Sequence, residues 1–314
     1  MKPFRFLPQL LIGLMLALAA APTARAQATL YVSFATSVNM YNSATGAFTG
    51  QLATGLSNPW SLTIDSGGHL YSSLYTGDTV AAYNTANGSL ISTAFTNPGM
   101  FSPTGIATYN GNLYVASQGS QRISRYDAAT GSLVSANFIP SVFNPTAMVI
   151  DSSGRLYVTN NGGAVSVYDA ATGGLISANL ITGIGTPMGL AIDSSGRLYV
   201  SATNGNTVGV YDSLSGAVLN ASLIAGLVNP RALTLDSLGN LYVSSYNSSN
   251  STFFVGKYNS LTGATINSNL LIAGSSIGGL GFVPAAVPEP ATSAAVVALL
   301  ALGFAGWRRR QTVA

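Results

Sequence analysis

Short apolar segments separated by polar turns run through residues 27–284. Residues 164–168 alternate apolar and polar side chains, as a β-strand with one buried face does. Residues 156–159 are rich in the residues that favour strands. No window of this region keeps the 3.6-residue apolar period of an amphipathic helix. The pattern therefore predicts an all-β structure built from short strands.

The strands belong to a unit that repeats every 40 to 43 residues. The dipeptide Leu-Tyr marks each unit and begins at positions 30, 70, 113, 156, 198 and 241. A Tyr-Asx-x-x-x-Gly motif follows and begins at positions 41, 83, 126, 168, 211 and 258. A proline opens the next apolar segment, at Pro59, Pro103, Pro145, Pro187 and Pro230. Periods of this length with several strands per unit are typical of propeller blades rather than helical solenoids.

One unit reads as four strands joined by tight turns. In the unit that opens at Pro145 we expect an inner strand over 145–150, a hairpin turn over 151–154 and a second strand over 156–159. A third strand over 164–168, another turn over 169–173 and an outer strand over 175–181 follow. Aspartate caps such turns through its side chain, and glycine takes the left-handed position. The same order fits the other units.

The two ends of the repeat region complete one blade between them. Residues 29–51 supply a second, a third and an outer strand, whereas residues 277–282 supply only an inner strand. Pairing these N- and C-terminal strands closes the ring and leaves no open edge in it. We therefore expect a six-bladed β-propeller over 27–284, with five or seven blades as the alternatives.

The pattern Asn-Pro-x-Gly-Leu-x-x-Asp-x-x-Gly-x-Leu-Tyr-Val resembles NHL and SMP-30-like six-bladed propellers over nearly all of 29–284. The NHL pattern often places an aspartate directly after the Leu-Tyr-Val strand. This chain departs from that pattern at all six positions, which hold Phe34, Leu74, Ser117, Asn160, Ala202 and Ser245. A family function that relies on this aspartate is therefore not expected here.

Residues 1–26 have the three parts of a secretory signal peptide. Lys2 and Arg5 charge the start, residues 7–21 are almost wholly apolar, and the Ala-Arg-Ala that ends at Ala26 offers small residues for cleavage. We expect a signal peptidase to cut after Ala26, in the manner of bacterial export. An uncleaved membrane anchor is the alternative.

Residues 285–314 form a second processing segment. Val-Pro-Glu-Pro ends at Pro290, residues 291–307 are mostly apolar, and Arg308, Arg309 and Arg310 follow. Seventeen helical residues span about 25 Å, which is marginal but sufficient for a bilayer core. The arginines would remain cytoplasmic and leave the main domain outside. The segment predicts a transmembrane helix that stops transfer across the inner membrane.

These three parts in this order resemble a PEP-CTERM sorting signal, whose motif positions are here Pro288, Glu289 and Pro290. The resemblance implies a Gram-negative bacterium and an exosortase-like enzyme as processing partner. It implies that 291–307 holds the precursor in the inner membrane only transiently. The product would reach the cell surface or an extracellular exopolysaccharide matrix. A protein held permanently in the membrane is the alternative.

Charge and cysteine content exclude several classes of function. The chain has no cysteine, which excludes disulfide frameworks, thiolate zinc sites and cysteine nucleophiles. Only 7% of the residues are charged, which excludes a nucleic-acid binder that relies on a stripe of charge. Residues 27–287 hold six basic residues against eight aspartates, a net charge of −2. The basic character of the whole chain belongs to its ends, and no nucleic-acid partner is expected.

Titratable side chains of the repeat region fall at structural positions. Aspartates and their asparagine equivalents occupy the two turns of each unit, with Asp78 as the exception, and His69 follows a turn glycine. SMP-30-like lactonases gather Glu, Asp and Asn ligands for a divalent metal near the central channel. The inner strands here carry no carboxylate. We therefore expect no catalytic residues, no metal site and no cofactor, with a lactonase- or lyase-like propeller enzyme as the alternative.

The candidate ligand-face residues follow the prolines of the inner strands: Trp60, Thr104, Thr146, Met188 and Arg231. Repeat equivalence predicts a ring of these side chains near one mouth of the channel. Trp and Arg are the types that most often anchor interfaces. The hypothesis is a binding or structural protein with an exopolysaccharide or another surface protein as partner. Ordinary channel lining and a space-filling domain are the alternatives.

Overall fold

The computed structural model describes residues 28–96 and 99–283. Within these residues the chain forms six four-stranded antiparallel sheets, which make one compact unit. The inner strands are β4 (Pro59–Ile64), β8 (Pro103–Tyr109), β12 (Pro145–Ile150), β16 (Pro187–Ile192), β20 (Leu233–Leu235) and β24 (Ile277–Val283). The second strands are β1 (Thr29–Phe34), β5 (His69–Leu74), β9 (Asn112–Ser117), β13 (Arg155–Asn160), β17 (Arg197–Ala202) and β21 (Asn240–Asn247).

The third and outer strands complete each sheet. The third strands are β2 (Ser37–Asn42), β6 (Thr79–Asn84), β10 (Arg122–Asp127), β14 (Ala164–Asp169), β18 (Thr207–Asp212) and β22 (Thr252–Asn259). The outer strands are β3 (Phe48–Thr54), β7 (Leu90–Ser92), β11 (Leu133–Ile139), β15 (Leu175–Ile181), β19 (Val218–Ile224) and β23 (Thr265–Ala273). The prediction of an all-β six-bladed propeller is confirmed.

The first blade joins the two ends of the repeat region, as predicted. Its strand order is β24-β1-β2-β3, and β1 pairs antiparallel with β24 so that Leu30 lies opposite Phe282 and Val32 opposite Leu280. Sequence-distant strands thus share one ladder, and the ring of sheets has no open edge between its first and last blades.

The Leu-Tyr repeat holds neighbouring blades together. The leucine fills the apolar space between sheets, where Leu156 and Leu198 are fully buried. The tyrosine hydroxyl reaches the turn between the third and outer strands of the next blade: Tyr114 donates to the Ala170 carbonyl at 2.6 Å. Burial raises the pKa of Tyr114 above its ordinary value, so the hydroxyl keeps its proton. Each such bond crosses a blade boundary and orders the ring.

The fifth inner strand is shorter than predicted. The repeat predicts a strand that opens at Pro230, but β20 covers only Leu233–Leu235. The Arg231 N–H still donates to the Ser244 carbonyl at 2.8 Å, and the Ser244 N–H donates to the Ala232 carbonyl at 3.0 Å. The chain therefore stays attached to β21 beside Arg231, but with an irregular register.

The predicted processing segments lie outside the described residues. The signal peptide 1–26, with its cleavage position Ala26, is one of them, and the apolar segment 291–307 is the other. Within 28–96 and 99–283, no helix is long and apolar enough to cross a membrane.

Candidate ligand site at the mouth of the central channel

The inner strands surround a central cavity of about 370 Å³. The inner strands run in the same direction by repeat equivalence, so all of them begin at one end of the cavity and finish at the other. Each end is therefore lined by different positions of the repeat. We call the end where the strands begin the channel mouth, and it is lined by Asn58, Trp60, Thr146, Met188, Arg231 and Ser276. The opposite end is lined mainly by large apolar side chains, among them Ile64, Ile150, Ile192, Leu235 and Phe282.

Trp60 is half-buried at the channel mouth and belongs to a small aromatic platform. Its ring lies 5.2 Å from the ring of Tyr75, with 30° between the two planes. The Tyr75 hydroxyl donates to Oε1 of Gln118 at 3.1 Å. Tyr75 directly follows β5 and Gln118 directly follows β9, so the platform continues from the channel across two neighbouring blades.

Arg231 is half-buried at the mouth and has no partner for its side chain among the described residues. Its Nε is buried without a hydrogen bond. The ion pairs of the described chain join other residues, Asp65 with His69 and Asp193 with Arg197. A buried N–H group without a partner is unfavourable by about 1–3 kcal/mol, more in a charged group. The guanidinium is therefore an uncompensated cation inside the mouth.

A glycine separates Trp60 from Arg231 around the ring. The inner strand β24 packs against β4 on one side and β20 on the other. Its Gly278 occupies the position that is equivalent to Trp60 and Arg231 in the neighbouring blades. A Cβ at Gly278 would collide with the Pro59 carbonyl oxygen. The wall between the tryptophan and the arginine is therefore bare backbone.

Two of the five predicted ligand-face residues are used for blade contacts instead. Thr104 is fully buried, and its hydroxyl donates to the Pro145 carbonyl at 2.9 Å. The Thr146 hydroxyl contacts the Pro187 carbonyl at 2.9 Å and the Thr159 hydroxyl at 2.8 Å. Both threonines thus tie one inner strand to the next. Trp60, Met188 and Arg231 are the predicted residues whose side chains remain half-exposed at the mouth.

The eight aspartates of the described chain act as hydrogen-bond acceptors in turns and loops. Asp151 accepts from the Arg155 N–H at 2.9 Å, and Asp78 accepts from the Ser102 N–H at 2.8 Å. Burial alone would raise the pKa of Asp151, but hydrogen bonds from Arg155 and Ser153 outweigh it and lower the pKa. None of the described aspartates lines the channel.

His69 has the same role as its equivalents in other blades. Its Nδ1 lies 2.9 Å from Oδ2 of Asp65. At the equivalent position the Arg197 Nε donates to Asp193 at 2.6 Å, and Asn240 donates to Asp236 at 2.7 Å. Three different residue types make the same contact, so the bond belongs to the turn rather than to a catalytic dyad.

Metal ligands do not converge in the described part of the chain, where no group of three His, Asp or Glu side chains could hold an ion. This agrees with the turn positions of the aspartates.

The sequence analysis missed Tyr75 and Gln118, which extend the mouth. Both occupy one repeat position, the first residue after the second strand, where the later blades have Asn161 and Thr203. Comparing the units at this position would have marked it as variable and rich in hydrogen-bonding side chains.

The C-terminal segment matches the family model described as PEP-CTERM protein-sorting motif over residues 286–310. This confirms the predicted sorting signal, although its motif residues Pro288, Glu289 and Pro290 lie outside the described residues. The motif marks the chain for export and surface sorting and implies processing by an exosortase-type system.

Solved structures with low sequence identity share the fold. A chain in the crystal structure of a nidogen/laminin complex has a TM-score of 0.67 at 15% identity and covers 81% of this chain and 98% of its own. A protein of unknown function from Bacteroides caccae has a TM-score of 0.63 at 14% identity, covering 82% and 99%. The computationally designed Ika8 protein reaches 0.50 at 16% identity, covering 77% and 74%. No curated protein matches the chain.

One family model covers most of the propeller. It is a different propeller type from the NHL and SMP-30-like repeats, so the resemblance to that subtype remains a prediction. The model matches residues 35–253, more than half of the chain. The chain therefore belongs to the propeller family described as outer membrane protein assembly factor BamB.

Proposed function

We propose that this protein is an exported, non-catalytic binding module that presents a ligand site at the channel mouth on the cell surface or in the extracellular matrix. The observation that carries the proposal is the pair of half-exposed anchors, Trp60 and Arg231, in a cavity that no carboxylate of the described residues lines. Tryptophan and arginine are the side chains that most often supply binding energy.

The distribution of acidic groups favours binding over catalysis. General acid–base chemistry needs a titratable group positioned within hydrogen-bond reach of the reacting atoms. The described aspartates instead serve the turns, and the cavity wall holds hydroxyl, aliphatic, aromatic and amide groups beside a single arginine. A lactonase- or lyase-like activity would need converging carboxylates, and the residues that the structure describes place none in this wall.

The sorting signal and the family description support the same proposal. A protein that is delivered to the surface by an exosortase-type system works among polysaccharides and other surface proteins. The family description names an outer membrane protein assembly factor, and a role in assembly fits a binding module better than a hydrolase. We propose a surface or matrix polysaccharide as the ligand, with a surface protein as the alternative that the test below distinguishes.

Thermal unfolding of the purified full-length protein in detergent tests the proposal, with a panel of bacterial exopolysaccharides as ligands. A ligand at one hundred times its Kd stabilises the folded state by about 2.7 kcal/mol, which is a readily visible shift. We expect Trp60→Ala to abolish the shift. Phe48→Ala, which removes a 60% exposed aromatic from outer strand β3, should leave it unchanged.

Two results would contradict the proposal. The first is turnover: release of new reducing ends or opened lactones by the wild-type protein would favour the enzyme alternative, above all if a divalent metal were needed. The second is a shift that survives Trp60→Ala, because the ligand would then bind elsewhere. Absence of any polysaccharide shift would favour a protein partner.

A further inference from the structure

The channel mouth carries one positive charge and no negative charge among the described residues. Four other basic side chains of the described chain have contacts of their own. Arg122 donates to Asn137, Arg125 donates to the Ala171 carbonyl, and Lys257 donates to the Ser43 carbonyl. Arg197 pairs with Asp193. The Nε of Arg122 and that of Arg125 also lack an acceptor, but a terminal N–H of each of these guanidinium groups is bonded. Arg231 differs because no part of its guanidinium has a hydrogen-bond or ion-pair partner among the described residues. The mouth therefore lacks an anionic or strongly accepting group for this side chain.

We infer that the channel mouth binds an acidic sugar unit of a polysaccharide, with the sugar carboxylate on Arg231 and the apolar face of the ring on Trp60. The inference rests on the proposed function and names its ligand class. A guanidinium binds a carboxylate through two parallel hydrogen bonds, and such charge-assisted pairs are the strong ones. The carboxylate would supply an acceptor for this half-exposed guanidinium, which has no partner among the described residues.

The single charge favours a carboxylate over a phosphate group. A phosphate carries up to two charges and three acceptor oxygens, and it is usually bound by several basic side chains or by a nest of backbone N–H groups. The mouth offers one guanidinium. The backbone N–H of Gly279, in the wall beside it, already donates to the Ser33 hydroxyl at 2.6 Å and is not free to bind an anion. A group with one negative charge matches this donor set.

The dimensions and the neighbouring side chains favour a sugar over a folded partner. The cavity of about 370 Å³ lies at the lower end of small-molecule pockets. Ser61, Thr63 and Thr234 are among the residues that line it, and their hydroxyls are of the kind that bonds to sugar hydroxyls. Outside it, the platform of Trp60, Tyr75 and Gln118 continues across two blades and provides a place for the next units of the same chain.

Calorimetric titration of the full-length protein with two matched probes tests the inference. One probe is a galacturonic acid hexamer and the other is the same hexamer with its carboxyls methyl-esterified. EDTA is present throughout so that no metal bridges the carboxylates. The esters keep the rings and hydroxyls but remove the charge. We expect the acid to bind more tightly than the ester, and its affinity to fall with added salt.

Arg231→Met is the decisive variant, because Met188 already occupies the equivalent position in another blade. Loss of a charge-assisted pair should weaken acid binding roughly tenfold to a hundredfold. Binding of the methyl ester should be unchanged. Arg155→Gln is the matched control: it removes one positive charge at a turn position where other blades have Asn112 and Asn240, and it should not weaken binding.

The outcomes separate the inference from the proposed function. Equal affinity for acid and ester, with loss of both in Trp60→Ala, would overturn the inference and leave the channel-mouth site standing. Equal weakening by Arg231→Met and Arg155→Gln would also overturn it, because the effect would then be one of net charge. No binding of either probe would overturn the inference. If, in addition, no exopolysaccharide of the panel raised the unfolding temperature, the proposed polysaccharide role would be overturned as well. Melting temperatures close to the wild-type value show that the variants are folded.

Discussion

At the scale of single residues, the entry to five of the six inner strands is a place where backbone conformation is unfavourable. The residues that precede the inner-strand prolines have positive φ angles: Asn58, Ser102, Asn144, Thr186 and Asn229, with φ of 53°, 51°, 37°, 52° and 45°. The carbonyls of the first four accept a hydrogen bond from the residue after the second strand, as that of Thr186 does from the Thr203 N–H at 3.1 Å. Asparagine tolerates this left-handed region, whereas a β-branched residue such as Thr186 adopts it only with strain.

Replacing Thr186 with asparagine should therefore stabilise the protein. Relief of the left-handed strain should raise the free energy of unfolding by about 1 kcal/mol. The Thr186 hydroxyl accepts an exposed hydrogen bond from Asn204 at 2.7 Å, and its loss should offset little of the gain. Urea denaturation measures the change. Asn144→Thr is the reverse control and should lower stability by a similar amount; equal stability of both variants with the wild type would contradict the strain argument.

At the scale of strands and blades, hydrogen bonds between neighbouring sheets position the ring. Tyr114 links the blade of β8–β11 to the blade of β12–β15 through the Ala170 carbonyl. The ring closes in the same way, because the Tyr242 hydroxyl donates to the Ser43 carbonyl at 3.1 Å. These contacts explain why the repeat retains tyrosine where another apolar residue would fill the space equally well.

Tyr114→Phe should lower the free energy of unfolding by about 1–2 kcal/mol, because it removes a buried hydrogen bond and leaves the Ala170 carbonyl without this donor. Urea denaturation with an unchanged m-value is the measurement. Tyr75→Phe removes a hydroxyl from a half-exposed tyrosine and should change stability by about 0.5 kcal/mol or less. A larger effect at Tyr75 than at Tyr114 would show that the hydroxyl contact between blades is not a source of stability.

The repeat made the blades predictable but not the use of each channel side chain. Leu-Tyr spacing and strand alternation determine the four-stranded unit, and the incomplete units at the two ends determine how the ring closes. Thr104 and Trp60 occupy equivalent positions in that pattern. Thr104 is buried and its hydroxyl donates to the Pro145 carbonyl, whereas Trp60 is half-exposed at the mouth. That difference depends on the neighbouring inner strand in space, which the sequence of a single unit does not contain.

At the scale of the whole molecule, the carboxylates that serve the turns make stability depend on pH. Hydrogen bonds from Thr172 lower the pKa of Asp169, and equivalent bonds from Thr130 and Ser215 lower the pKa of Asp127 and Asp212. A carboxyl with a lower pKa in the folded state favours folding while it is ionised. That contribution is complete above the unfolded pKa of about 3.9 and is lost as the pH falls through the folded value.

Combined replacement of Asp127, Asp169 and Asp212 by asparagine should remove part of this acid sensitivity. At neutral pH the variant should stay folded, because Asn259 already makes the equivalent bonds, accepting from the Leu261 N–H at 3.0 Å and the Thr262 N–H at 2.9 Å. Urea denaturation from pH 7 to about pH 2.5 should give a shallower loss of stability than in the wild type. The pH dependence of stability that remains in the variant comes from other carboxyls with a lowered pKa, such as Asp151. Parallel acid profiles for the two proteins would mean that the three turn carboxyls do not favour the folded state when ionised.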